Sequence, residues 1–87
     1  MQIRIASTEE LGLVLRAVRK QGKLRLDDFA ALAQVSKQFA TDIENGKATA
    51  QVGLVLKVLA ELGIGVTLEI PSEALDTLEA LRAKRKA

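Results

Sequence analysis

The stretch VSKQFATDIENGK, residues Val35 to Lys47, decides how the chain is read. Ser36 stands where a side-chain oxygen can cap a helix. The residues behind it follow a helical rhythm: Phe39, Ala40 and Ile43 turn inward, wholly or in part, while Lys37, Gln38, Thr41 and Asp42 share the outer face. Asn45 and Gly46 stop the helix after Glu44, because glycine accepts the left-handed backbone that a helix C-terminus requires. A short helix thus opens with polar side chains and closes in Glu-Asn-Gly-Lys.

Upstream, LRLDDFAALAQ predicts another short helix, with Asp27 or Asp28 at its positively polarised start and Phe29, Ala30, Leu32 and Ala33 as its apolar contacts. Only a few residues around Gln34 and Val35 separate it from the capped helix, so the two meet at a sharp angle. Earlier still, STEELGLVLRAVRKQG places Ser7 three residues before Glu10, the spacing of a capping box. Leu11, Val14, Leu15 and Val18 then form one apolar stripe, with Arg16, Arg19 and Lys20 off it, and Gly22 ends this first helix.

Downstream, Thr49 can cap a fourth helix from about Ala50 to Leu62, the most apolar of the set, with Val52, Val55, Leu56, Leu59 and Leu62 inward and Gly63 as its stop. In IGVTLEI, residues 64–70, the period changes to alternation, with Ile64, Val66, Leu68 and Ile70 on one side, which predicts a strand. One strand is not stable alone. Its partner is either the short QIRI at residues 2–5 or the same segment of a second chain, and the single pair of apolar residues in QIRI favours the second chain. Pro71 ends the strand. Ser72 can cap a last helix, EALDTLEALRAKRKA, with Leu75, Leu78 and Leu81 on a weak stripe and Arg82, Lys84, Arg85 and Lys86 at its end; the plainer reading is a solvated tail. The expected division is a domain over 1–71 followed by a C-terminal helix or tail over 72–87.

Composition narrows the chemistry. The chain has 87 residues, one domain's worth, and neither Cys nor His, which removes thiol chemistry, disulfides, soft or imidazole metal ligation and His-based acid–base catalysis. No nucleophile–base pair or metal cluster is visible, so the expectation is a binding protein without a cofactor, not an enzyme. No apolar run approaches the roughly 18 residues of a membrane span, and no secretory signal opens the chain, so the cytoplasm is expected. The formal charge of +2 is too small to mark a nucleic-acid binder by itself. Its distribution is uneven: residues 1–47 hold eight basic and six acidic side chains, residues 48–71 one and two, and residues 72–87 four and three.

Helix, tight turn and capped helix together make a helix-turn-helix pattern, whose second helix offers its N-terminal side chains to base edges in a DNA major groove. Residues 11–47, LGLVLRAVRKQGKLRLDDFAALAQVSKQFATDIENGK, resemble the phage-repressor (Cro/C1, XRE-type) helix-turn-helix family at its most specific points. These are Arg-Lys ending the first helix, Phe-Ala in the second, Val-Ser opening the third and Ile-Glu-Asn-Gly-Lys closing it. The continuation GKATAQVGLVLKVLAELGIGVTL resembles the narrower group of HipB-type antitoxins. The fold this implies is all-α, a phage-repressor-like helix-turn-helix bundle of four to five helices, with a short C-terminal β-strand pairing across a dimer through Ile64, Val66, Leu68 and Ile70.

The resemblance also implies roles. Ser36, Lys37, Gln38, Thr41 and Asp42 match the family's recognition-helix contact positions, where Lys37 could read guanine and Gln38 adenine. Asn45 and Lys47 match its phosphate-contacting loop. Glu44 matches a structural acceptor that pairs with a cation such as Arg19 or caps the following loop. The family's Thr-Gln or Ser-Gln pair at the start of the second helix is here Arg25-Leu26; Leu26 cannot donate the hydrogen bond of that Gln, which leaves Arg25 as the point charge for a phosphate. Gln34 replaces the usual turn glycine, implying a more strained turn. Asp42 would be repelled by phosphate unless it accepts from a cytosine amino group or pairs with a cation.

The expected partners are double-stranded operator DNA, a second copy of the chain and a HipA-like Ser/Thr kinase toxin, with no membrane. The alternatives are a protein-interaction module that keeps the helix-turn-helix as scaffold, or a stand-alone phage-type repressor with no toxin partner.

Overall fold

The computed structural model describes residues 1–86 and contains, in order, α1 (Thr8–Gln21), α2 (Leu26–Ala33), α3 (Lys37–Glu44), α4 (Val52–Glu61), a single 3-10 turn at Ser72–Ala74, and α5 (Leu75–Lys86). Of the expected cationic end, the Lys86 side chain and Ala87 lie outside what the structure describes.

Ser7 caps α1 by accepting from the Glu10 N–H at 3.1 Å, while the Glu10 carboxylate accepts from the Ala6 N–H at 3.3 Å, one residue earlier than a capping box places it. At the other end Gly22 has φ −80°, and the left-handed residue is Lys23 at φ 56°. The Lys23 N–H reaches the Lys20 carbonyl and the Leu24 N–H the Arg19 carbonyl, a Schellman-type closure. A left-handed Lys costs about 1–2 kcal/mol. Leu24, packed against the core just behind it, offsets that cost.

The core forms where the first four helices meet. Leu15, Phe29 and Val58 are fully buried, each worth about 1.5–3 kcal/mol of apolar burial. Ala30, Ala33, Ala40, Ile43 and Leu59 complete the core, and the three alanines let α2 and α3 lie close together. Gly12 brings α1 against the end of α3: a Cβ there would collide with the backbone carbonyl oxygen of Glu44. Leu32, expected among the contacts of α2, is exposed instead.

Three expectations for the C-terminal half are corrected. First, α4 begins at Val52 behind Gln51, with no side-chain cap, so Thr49 is not its cap. Val55, Val58, Leu59 and Leu62 form its inward stripe, whereas Val52 and Leu56 lie off that stripe and are exposed. Second, residues 64–70 form no strand, and no strand occurs among the described residues. QIRI contributes only Ile3 and Ile5, both exposed, too little burial to order a ladder inside one chain. No backbone hydrogen bond joins the two segments, and Arg4 donates to Glu69 at 2.9 Å. Ile64, grouped with the pairing face, packs on its own core behind the left-handed Gly63, its N–H bonded to the Leu59 carbonyl. Third, Ser72 lies inside the 3-10 turn behind Pro71 instead of capping the last helix.

Beyond Ile64 the chain spreads out. Val66, Leu68 and Ile70 are exposed, Leu68 at 83%. The helix α5 packs chiefly on the turn before it. The radius of gyration is 15.4 Å, against roughly 12 Å for a compact chain of this length. An open apolar groove of about 750 Å³ runs from Ile3 and Ile5 across Val52 and Leu56 to Val66, and a second hollow of about 610 Å³ lies between Val66, Leu68 and Ile70 and the Leu78 and Leu81 side of α5.

Candidate DNA-binding surface

The outer face of α3 is built by its two ends. Ser36 accepts from the Phe39 N–H at 3.0 Å, so the helix begins where the sequence places it, and Lys37 and Gln38 stand exposed in its first turn. The preceding turn is held by Gln34 in the left-handed conformation, φ 58°, the strained position where glycine is usual; Lys57 reaches its side chain at 3.4 Å. At the far end Gly46 has φ +82°, and a Cβ there would lie 2.7 Å from the Glu9 Cα, so both backbone angle and space require glycine. Thr8 donates to the Gly46 carbonyl at 2.7 Å and ties this loop to the start of α1.

Beneath this face lies a buried ion pair. The Glu44 carboxylate, 3% exposed, accepts two bonds from Arg19, at 2.6 and 2.9 Å, and Arg16 approaches it at 3.5 Å. The hydrogen bond and charge of Glu44 raise the Arg19 pKa against the opposing effect of burial. Arg19 also donates to the Leu24 carbonyl, and Arg16 to the Asn45 side-chain oxygen at 3.1 Å. The structural role expected for Glu44 therefore holds, and Asn45 is positioned by a cation from α1. No buried polar side-chain atom among the described residues is left without a partner.

On the outside, three cations alternate with two carboxylates. Lys37 Nζ lies 2.9 Å from Asp27 of α2, and Arg25 approaches the same carboxylate at 3.9 Å. The hydrogen bond and charge of Lys37 hold the Asp27 carboxyl below its ordinary range. Gln38 donates to one Asp42 oxygen at 2.8 Å, and Lys47 reaches the other at 3.4 Å. Thr41 is half-buried between these groups. Seven of the eight expected site residues thus lie in α3 or at its two ends, and Arg25 approaches Asp27, the partner of Lys37; Lys37, Gln38, Asp42, Asn45 and Lys47 are all tied within the chain. The Asp27–Lys37 pair was missed in the sequence. The helix-turn-helix topology sets the starts of α2 and α3 side by side, which is the signal that could have found it. Arg16, three residues before Arg19 on one helix face, was legible by the same logic.

These elements define a helix-turn-helix protein with a polar, modestly cationic outer helix. The helix-turn-helix family profile matches residues 15–68. The uncharacterised HTH-type transcriptional regulator y4mF of Sinorhizobium fredii (strain NBRC 101917 / NGR234) is 42% identical over 73 residues, 84% of this chain and 96% of that protein. The chain belongs to the XRE-type helix-turn-helix family of DNA-binding transcriptional regulators. Among solved structures, one described as "Structure of HipA-HipB-O2-O3 complex" aligns with TM-score 0.73 at 20% identity, over 82% of this chain and 100% of that one. A HipB-O4 20mer complex aligns with TM-score 0.72, at the same identity and coverage. The clp gene regulator ClgR from C. glutamicum aligns with TM-score 0.60 at 26% identity, over 71% of this chain and 80% of that one. The HipB likenesses show a shared fold.

Proposed function

We propose that the protein is a homodimeric repressor of an inverted-repeat operator and that it acts as a HipB-like antitoxin, regulating its own operon and restraining a HipA-like Ser/Thr kinase toxin encoded beside it. It works by binding, without catalysis and without a cofactor, in the cytoplasm where the DNA is. The observation that carries the DNA reading is the outer face of α3: the core behind it is complete without Lys37 and Gln38, which stand exposed at a capped helix start. Lys37 and Gln38 meet base edges beside Thr41, and Arg25, Asn45 and Lys47 meet the phosphate backbone. Three cations against Asp27 and Asp42 give this surface little net charge. Non-specific affinity is therefore low, and discrimination falls to the base contacts.

Homodimerisation is supported by the uncovered strip of Val66, Leu68 and Ile70, which leaves apolar side chains and unpaired backbone exposed in a single chain. Pairing about a two-fold axis covers both and sets two recognition helices about one DNA turn apart, roughly 34 Å. The antitoxin role is supported by the fold shared with HipB and by the Leu62-Gly63 end of α4 leading into this strip.

The test is a gel shift in moderate salt on DNA from upstream of the protein's own gene, beside sedimentation at micromolar concentration. A dimer that prefers this DNA over a scrambled duplex is expected. Equal binding to both would overturn the operator reading, and a monomer that binds tightly would overturn the dimer. Co-purification with the product of the neighbouring reading frame tests the antitoxin role; a chain that never retains it is a stand-alone repressor.

A further inference from the structure

We infer that Asp42 does not touch DNA but is the residue that sets the base preference of Gln38. The inference rests on the DNA-binding reading above and adds a positioning residue to it. Asp42 lies one helical turn after Gln38 on the same face of α3, where side chains four apart meet. The Gln38 amide nitrogen donates to Asp42 Oδ1 at 2.8 Å. A carboxylate only accepts, so the NH₂ end of the amide must face it and the carbonyl end must face away. Chemistry therefore fixes which way round the Gln38 amide stands.

Asp42 is itself held. Its second oxygen takes Lys47 Nζ at 3.4 Å, its backbone carbonyl accepts from the Lys47 N–H at 3.0 Å, and its side chain is only 25% exposed. In this position it is a brace, not a free acceptor searching for a cytosine amino group. With one Gln38 N–H engaged, the remaining N–H and the carbonyl oxygen form one donor–acceptor pair. Adenine offers the matching pattern in the major groove, N7 accepting and the N6 amino group donating; guanine offers two acceptors, one of which would oppose the Gln38 carbonyl. The brace thus selects adenine by fixing the order of donor and acceptor before DNA arrives.

The experiment is selection from a randomised duplex library with the wild type, Gln38→Ala, Asp42→Ala, Asp42→Asn and the double Ala variant, each checked for folding by circular dichroism. The wild type should favour adenine about tenfold or more at one position per half-site, within the range of a bidentate contact. Asp42→Ala should flatten that same position, the double variant should lose nothing further there, and Asp42→Asn, which keeps an acceptor oxygen, should restore most of the preference. An Asp42→Ala protein that keeps the adenine preference, or relaxes a different position, overturns the brace while leaving DNA binding intact. A folded wild type that selects no sequence overturns the DNA reading itself. Should Asp42→Ala fail to fold, the Gln38 side-chain amide in the wild-type protein decides: a downfield, exchange-protected amide proton in NMR upholds the brace, and a freely exchanging one overturns it.

Discussion

Residues 1–47 and residues 52–86 enclose their apolar groups to different degrees. In α1 to α3 the backbones touch at Gly12, the buried charges of Glu44 and Arg19 answer each other, and Phe29 and Leu15 are fully enclosed. From α4 onward the inward stripe of Val58 and Leu59 is enclosed too, but Val52, Leu56, Val66, Leu68 and Ile70 all face outward. The interior of the first region is closed within one chain, although Ile3, Ile5, Leu13 and Leu32 stay exposed at its edges; the second leaves most of its apolar side chains uncovered. That difference separates the scaffold of α3 from the surface that the proposed second copy would cover, so each can be broken without the other.

The largest effect is expected at the ion pair. Arg19→Ala leaves the Glu44 carboxylate buried with only Arg16, at 3.5 Å, to answer it, and also frees the Leu24 carbonyl. Removing one partner of a buried pair costs about 3–5 kcal/mol. Denaturant unfolding should record that loss, and a change below about 1 kcal/mol would mean that the pair does not organise α1 and α3.

Next comes the open strip. Val66→Lys with Leu68→Lys should leave helix content unchanged, since neither side chain is buried in the single chain, yet convert a dimer to a monomer. Operator affinity should then fall about a hundredfold or more, because two linked half-sites bind far more tightly than one. Sedimentation and a gel shift measure both halves of the claim. Loss of helicity would show instead that the strip supports its own chain.

How much of this was legible depends on how local each cause is. The Ser7 and Ser36 caps, the Asn45-Gly46 stop and Gly63 are set by neighbours three or four residues away, and the structure places them where the sequence does. The Arg19–Glu44 pair was readable only through family resemblance, because its partners lie on different helices. Gly12 was not readable, since nothing in LGLVL announces that a backbone from residue 44 passes there. Thr49 and Ser72 offered equally good caps that the chain does not use. The 64–70 alternation predicted a strand that cannot form in isolation, because its hydrogen bonds need a second backbone. Asp42 looked like a defect on a DNA-facing surface until Gln38 and Lys47, the side chains it holds, were in view.

Two glycines sharpen the contrast between the regions at smaller scale. Gly12→Ala forces a methyl group against the carbonyls of Ile43 and Glu44, and because both are backbone atoms the helices must separate, at about 1–3 kcal/mol. Gly53→Ala sits on α4 with nothing within 4 Å of the new Cβ, so it should instead stabilise by about 0.4–1 kcal/mol through helix propensity and the unfolded chain. Opposite signs in thermal melts of the two variants are the expected result. A destabilising Gly53→Ala would mean that this open face is already occupied, and comparison with the Val66→Lys, Leu68→Lys monomer would show whether a second copy occupies it.

The smallest effect belongs to Asp27 and is a matter of pH. Lys37, by hydrogen bond first and charge second, lowers the Asp27 pKa from its ordinary 3.8, with a lesser contribution from Arg25. A carboxyl whose pKa is depressed by folding adds stability that is present above the ordinary value and lost as pH falls through the lowered one. The window is therefore acidic, below about pH 4, and the pair is exposed on both sides, so solvent screening keeps the contribution small. At neutral pH Asp27 is charged, and breaking its pair with Lys37 on the DNA should have no pH signature. NMR titration of the Asp27 carboxyl should give a midpoint below the ordinary value in the wild type and a return toward it in Lys37→Met. An Asp27 midpoint indifferent to Lys37 would mean that the two starts of α2 and α3 are not held together by charge, leaving the Gln34 turn and the alanines beneath it to fix the angle of the recognition helix.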